Sequence, residues 1–61
     1  MFKVEINTNN DAFGETYFDK SVELERILTK IIDELNLGVI EKAPIMDING
    51  NKVGYWELTE D

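Results

Sequence analysis

Apolar and polar residues alternate strictly at the start of the chain, where "FKVEINT" sets Phe2, Val4 and Ile6 on one face and Lys3, Glu5 and Asn7 on the other. A period of two predicts a half-buried β-strand. The period is lost over residues 8–18, "TNNDAFGETYF", in which Asn9, Asn10, Asp11 and Gly14 supply turn chemistry while Phe13, Tyr17 and Phe18 are placed to fold back. This segment reads as a connecting loop anchored by aromatics. From Asp19 or Ser21, either of which suits an N-cap, the period becomes helical. Leu24, Ile27, Leu28, Ile31, Ile32 and Leu35 fall at i, i+3, i+4, i+7, i+8 and i+11. The helix is expected to end near Gly38 through a left-handed cap, and its other face, with Glu23, Arg26, Lys30, Asp33 and Glu34, reads as solvated. "VIEKAPIMDI" and "NKVGYWELT" then read as two strands. Pro44, which has no N–H to give a ladder, suggests an edge, a bulge or a strand start. The pattern predicts an α+β fold in the order β-α-β-β, a three-stranded, mainly antiparallel sheet with one amphipathic helix packed on one face.

The stretch "DINGNKVGYWEL" carries the most local information. With Asn49 and Gly50 at the centre of a two-residue turn, both at positive φ, Asp47 faces Lys52, Met46 faces Val53 and Lys42 faces Glu57. Asp47, Asn49 and Asn51 also match the opening of an EF-hand calcium loop, but Lys52 stands where that loop needs Gly and Leu58 where it needs Glu. Asn7, Asn9 and Asp11 fail in the same way, at Ala12 and Phe18, so a hairpin is preferred and no metal site is assigned. Adjacent Tyr55 and Trp56 cannot share a sheet face. A core of Phe2, Val4, Ile6, Ile45, Trp56 and Leu58, with Gly54 making room for the helix, leaves Met46, Ile48, Val53 and Tyr55 on the side the helix does not cover. Met adapts to irregular partners and Tyr is a frequent interface anchor, so these four, with Phe13, Tyr17 and Phe18 at the rim, form the candidate partner-binding surface. The alternative is that residues 8–18 swing across and cover it.

Composition narrows the function classes. The 61 residues suit one small domain, 1–61, and a chain of this size buries only about 60% of the surface exposed on unfolding. With no cysteine and no histidine, a disulfide staple is excluded and a structural zinc site has no ordinary ligands. Six basic against thirteen acidic residues give a net charge of −7, which disfavours direct binding to nucleic acid or anionic lipid, while 43% hydrophobic residues is a folding composition. No apolar run approaches the roughly 20 residues that cross a bilayer, and "MFKVEI" has no leader character. A soluble, cytoplasmic protein is expected.

Catalytic chemistry finds little to work with. Ser21 has no histidine to activate it, no glycine-rich phosphate loop or G-x-S-x-G is present, and the paired acids Glu23 with Glu25 and Asp33 with Glu34 lie along a helix among cations. No enzyme activity and no cofactor are expected. The order of signals, an alternating strand, "NDAF", the amphipathic "ELERILTKIIDEL" and the closing "DINGNKVGYWEL", resembles a group of very short, uncharacterised proteins encoded by bacteriophages and prophages. The "GETYFDKS" segment is additional to that resemblance. It implies a phage accessory protein at work in the bacterial cytoplasm and transfers no catalytic residue. Three functions follow as expectations: a protein-binding module that modulates or inhibits a host bacterial protein; an acidic mimic of DNA using Glu15, Asp19, Glu23, Asp33, Glu34, Glu60 and Asp61; or a homodimer that buries the open face of the sheet.

Overall fold

In a computed structural model that describes residues 1–60, the elements are β1 (Phe2–Ile6), a short 3-10 turn (Asp11–Phe13), α1 (Tyr17–Asn36), β2 (Lys42–Met46) and β3 (Lys52–Leu58). The strands form one antiparallel sheet in the order β1-β3-β2, with α1 packed on one face, which is the β-α-β-β layout expected from the pattern. No helix among the described residues is long and apolar enough to cross a membrane.

The helix begins earlier than the apolar period indicates. Thr16 is the N-cap: its hydroxyl accepts from the Asp19 amide at 3.1 Å, and the Asp19 carboxylate accepts in return from the Thr16 amide at 3.4 Å. This reciprocal box satisfies two of the N–H groups that a helix start leaves orphaned. Asp19 therefore acts inside the first turn and Ser21 caps nothing; its hydroxyl donates back to the Phe18 carbonyl. Tyr17 and Phe18 become helical residues instead of loop anchors. At the other end Gly38 takes φ 72°, a left-handed residue closing the helix as expected.

The hairpin departs from the two-residue turn. Asn49 does not have positive φ; only Gly50 does, at 85°, and the Gly50 amide donates to the Asp47 carbonyl at 3.0 Å. This is a longer loop whose left-handed residue follows the turn, and it shifts the ladder. Lys42 still pairs with Glu57, but a bulge between Ile45 and Met46 sets Met46 against Lys52 and leaves Val53 without a partner on β2. A bulge reverses the facing of the residues beyond it. Val53 consequently turns inward with Trp56 and is buried, which removes it from the predicted outer surface.

The core comprises Phe13, Ile27, Ile31, Ile45, Val53 and Trp56, with Val4, Ile6, Leu24, Leu35 and Ile40 packed around it. Phe13 and Trp56 are wholly enclosed. Phe13 comes in with the 3-10 turn on the helix side, so residues 8–18 do not cover the opposite sheet face with it. Phe2 and Leu58, paired on the last rung of the sheet, stay half exposed instead of joining the core, although the Phe2 ring leans on Trp56 with centroids 6.2 Å apart. Leu28 and Ile32 are likewise about half exposed, because the buried helix stripe is the narrower one through Glu23, Ile27 and Ile31. The Trp56 indole N–H donates to Glu34 at 2.9 Å, giving that acid an internal partner.

Gly54 makes room for a strand, not for the helix: a Cβ built there collides with the Glu5 backbone carbonyl of β1. Gly54→Ala should therefore separate β1 from β3 and lower stability by about 2 kcal/mol or more. Trp56→Ala should cost about 3–5 kcal/mol, comparable with the whole stability of so small a domain, and leave the chain largely unfolded by circular dichroism.

Candidate functional site

Two buried carboxylates organise the end of the molecule where the β2–β3 hairpin meets the first half of α1. Asp47, 4% exposed, is the first residue of the turn. Its Oδ1 accepts from the amides of Asn49 at 2.8 Å and Asn51 at 2.9 Å, and its Oδ2 from the side-chain amides of Asn10 at 2.7 Å and Asn51 at 3.3 Å. Glu23, 5% exposed, takes a two-pronged contact from Arg26 at 2.7 and 3.1 Å and accepts from the Ile48 amide at 2.9 Å. With Gly50 donating to the Asp47 carbonyl, each amide from Ile48 to Gly50 and that of Asn51 has a named acceptor. A loop so accounted for has little freedom left.

The same contacts set the electrostatics. The Arg26 hydrogen bond holds the Glu23 carboxyl below its ordinary pKa, against the opposing effect of burial, and the Ile48 amide adds to the lowering. The Asn51 amide does the same for Asp47, again against burial, helped by the Asn51 side chain, the Asn49 amide and Asn10. Glu23 is thus no member of a solvated face. From sequence alone the two are indistinguishable, because its i+3 cation, Arg26, is what a surface pair also shows. The donors around Asp47 are all N–H groups, which suits a capped turn and not a cation site, and no cluster of three or more acids suited to a metal occurs among the described residues.

This scaffold presents apolar side chains outward. Ile48 at the tip of the turn is 66% exposed, and beside it stand Phe18 at 76% and Val22 at 54%, one helical turn apart on α1. Together with Asp11, Ala12, Gly14, Asp19 and Glu23 they line one shallow depression. Asp11 and Asp19 give it an acidic rim.

The seven residues proposed from sequence separate. Ile48 and Phe18 meet in this depression. Val53 and Phe13 are core residues, the first because of the bulge and the second because the 3-10 turn packs against α1. Tyr17 is almost fully exposed in the first helical turn, outside the depression. Met46, 38% exposed, sits on the β2 edge with its carbonyl accepting from Arg26 at 3.2 Å. Tyr55 lies half-buried on the open sheet face, with Lys3 over its ring at 5.8 Å and Pro44 opposite on β2. That face carries Lys3, Glu5, Lys42 and Glu57 and is charged, not a continuous apolar patch. Val22 was missed because the helical period was read only from Leu24; a helix starting at Tyr17 makes Phe18 and Val22 an i, i+4 pair.

No protein-family model matches the sequence, and neither a curated protein nor a solved structure does.

Lowered carboxylate pKa values make the folded state depend on pH. Each such group stabilises the fold fully above its unfolded value, 4.5 for Glu23 and 3.8 for Asp47, and that contribution is lost as pH falls through the lower folded values. Melting followed by Trp56 fluorescence should be flat from neutral pH down to about 5 and then decline. Glu23→Gln should cost about 2 kcal/mol at neutral pH and make the acid decline shallower.

Proposed function

We propose that this chain is a non-enzymatic protein-binding module of phage origin, which modulates or inhibits a bacterial host protein by docking through Phe18, Val22 and Ile48. The observation that carries the reading is the contrast at the hairpin tip: Ile48, exposed on a turn whose amides are held by buried carboxylates, stands beside the exposed Phe18 and Val22 of α1. Binding then costs little ordering entropy, which favours affinity. The acidic rim selects a partner whose apolar contact region is bordered by Lys or Arg. The setting in the bacterial cytoplasm comes from the resemblance to short phage proteins, and the absence of enzymatic chemistry from a sequence without His or Cys.

Among the residues that DNA mimicry would require, Glu23 and Glu34 are engaged inside the molecule, Asp19 closes the helix cap, and Asp61 lies outside the described residues. The acidic surface left over is thinner than the net charge suggests, and we rank an apolar contact above mimicry.

The reading is checked by capture from bacterial lysate with tagged wild type, Phe18→Ala/Ile48→Ala and Tyr55→Ala, washed at low and high salt. A partner retained at high salt by wild type and by Tyr55→Ala, but weakened at least tenfold by the double variant, is the expected result; loss of two apolar anchors commonly costs about 2–4 kcal/mol. Retention by the double variant together with loss from Tyr55→Ala would move the interface to the sheet face. A nucleic-acid-binding partner lost at high salt from all three would restore mimicry.

A further inference from the structure

The two edges of the sheet are not equivalent. In an antiparallel ladder, alternate residues turn both N–H and C=O toward one neighbour, and the rest turn them away. On β2 the outward residues are Lys42, Pro44 and Met46, since the Leu58 amide bonds to Glu41 and the Asp47 amide to Asn51. That edge is closed to another strand: Pro44 has no donor to offer, and the Met46 carbonyl is occupied by Arg26.

The β1 edge is open. The Asn7 amide bonds to Val53 and the Thr59 amide to Met1, so the odd-numbered residues face β3 and Phe2, Val4 and Ile6 point their backbone groups outward. No hydrogen bond among the described residues reaches those outward groups. Glu23, Arg26 and Glu34 reach toward the β2–β3 hairpin, and Leu24, Leu28 and Ile32 lie together on the opposite flank of α1.

We infer that the protein forms a two-fold homodimer in which β1 pairs antiparallel with β1 of a second copy, Val4 opposite Val4. The occupant is identified by charge. Outward groups on even-numbered residues permit only registers that pair even with even. A register two residues short sets Lys3 against Lys3, and one two residues long sets Glu5 against Glu5. The Val4-centred register sets Lys3 against Glu5 on both sides of the axis and Phe2 against Ile6, and it uses the full length of β1. A segment that is complementary to itself in charge, apolar pattern and hydrogen bonding fits a second copy of this chain better than an unrelated strand. Because the axis is perpendicular to the sheet, both helices lie on the same side. The hairpin tip lies at the far side of each protomer, so the dimer carries two copies of the docking surface. This is a different interface from one that buries the open sheet face.

The test uses two charge reversals, Lys3→Glu and Glu5→Lys, at exposed side chains that leave the core untouched. By symmetry each places like charges opposite one another twice. Sedimentation velocity over a concentration series should show wild type as a dimer and each variant with a dissociation constant raised about tenfold. Mixing the two variants, one of them isotope-labelled, should restore a heterodimer, read by native mass spectrometry, that is tighter than either variant alone, because Glu at position 3 then meets Lys at position 5. Circular dichroism and buried-type Trp56 emission verify the fold of each. A wild type that stays monomeric up to millimolar concentration overturns the inference. So does a dimer indifferent to both reversals, or variants weakened alone but not rescued together.

Discussion

A carboxylate withdrawn from water must collect hydrogen-bond donors, and in this chain the demand of Glu23 is met by the Ile48 amide, twenty-five positions further along. That single bond joins the helix to the hairpin. Arg26, drawn in to balance the charge, extends the connection to the Met46 carbonyl on the sheet edge, and Asp47 extends it through Asn10 to the segment before the helix. A 61-residue chain without cysteine or histidine has few ways to fix the relative positions of its parts. Here polar groups perform that service at one end, while Trp56 and Phe13 fill the middle.

Much of the architecture was legible because it rests on local periodicity. The alternation at Phe2, Val4 and Ile6, the helical spacing through Ile27 and Ile31, the left-handed Gly38 and the Lys42–Glu57 pairing all depend on short-range patterns, and all appear in the folded chain. The turn was the first failure. "NG" suits a two-residue hairpin, but the Asp47 side chain stabilises a longer one, and that preference depends on Asn10, which no local reading brings near. From the turn came the bulge, and from the bulge the inward facing of Val53. The capping box was readable in principle as Thr16 with Asp19, three positions apart, but the aromatics between them suggested a loop.

The site was less legible than the fold. Glu23 and Asp47 look like ordinary surface acids in a chain with thirteen of them, and only tertiary placement distinguishes them as the two buried among the described residues. Ile48 and Phe18 were identifiable as apolar residues with no clear place in the core. Their meeting required knowing both where the helix starts and how the hairpin tip leans against it.

Pro44 and Arg26 together make the sheet polar in the sense of a polymer end, with one terminus that can accept a strand and one that cannot. Growth by strand addition needs a live edge on each side of every subunit, as in amyloid. A subunit with a single live edge can only terminate: whatever joins at β1 consumes the last growth site, and stacking into a fibre through native sheet edges is ruled out by covalent chemistry at one residue and a guanidinium at another.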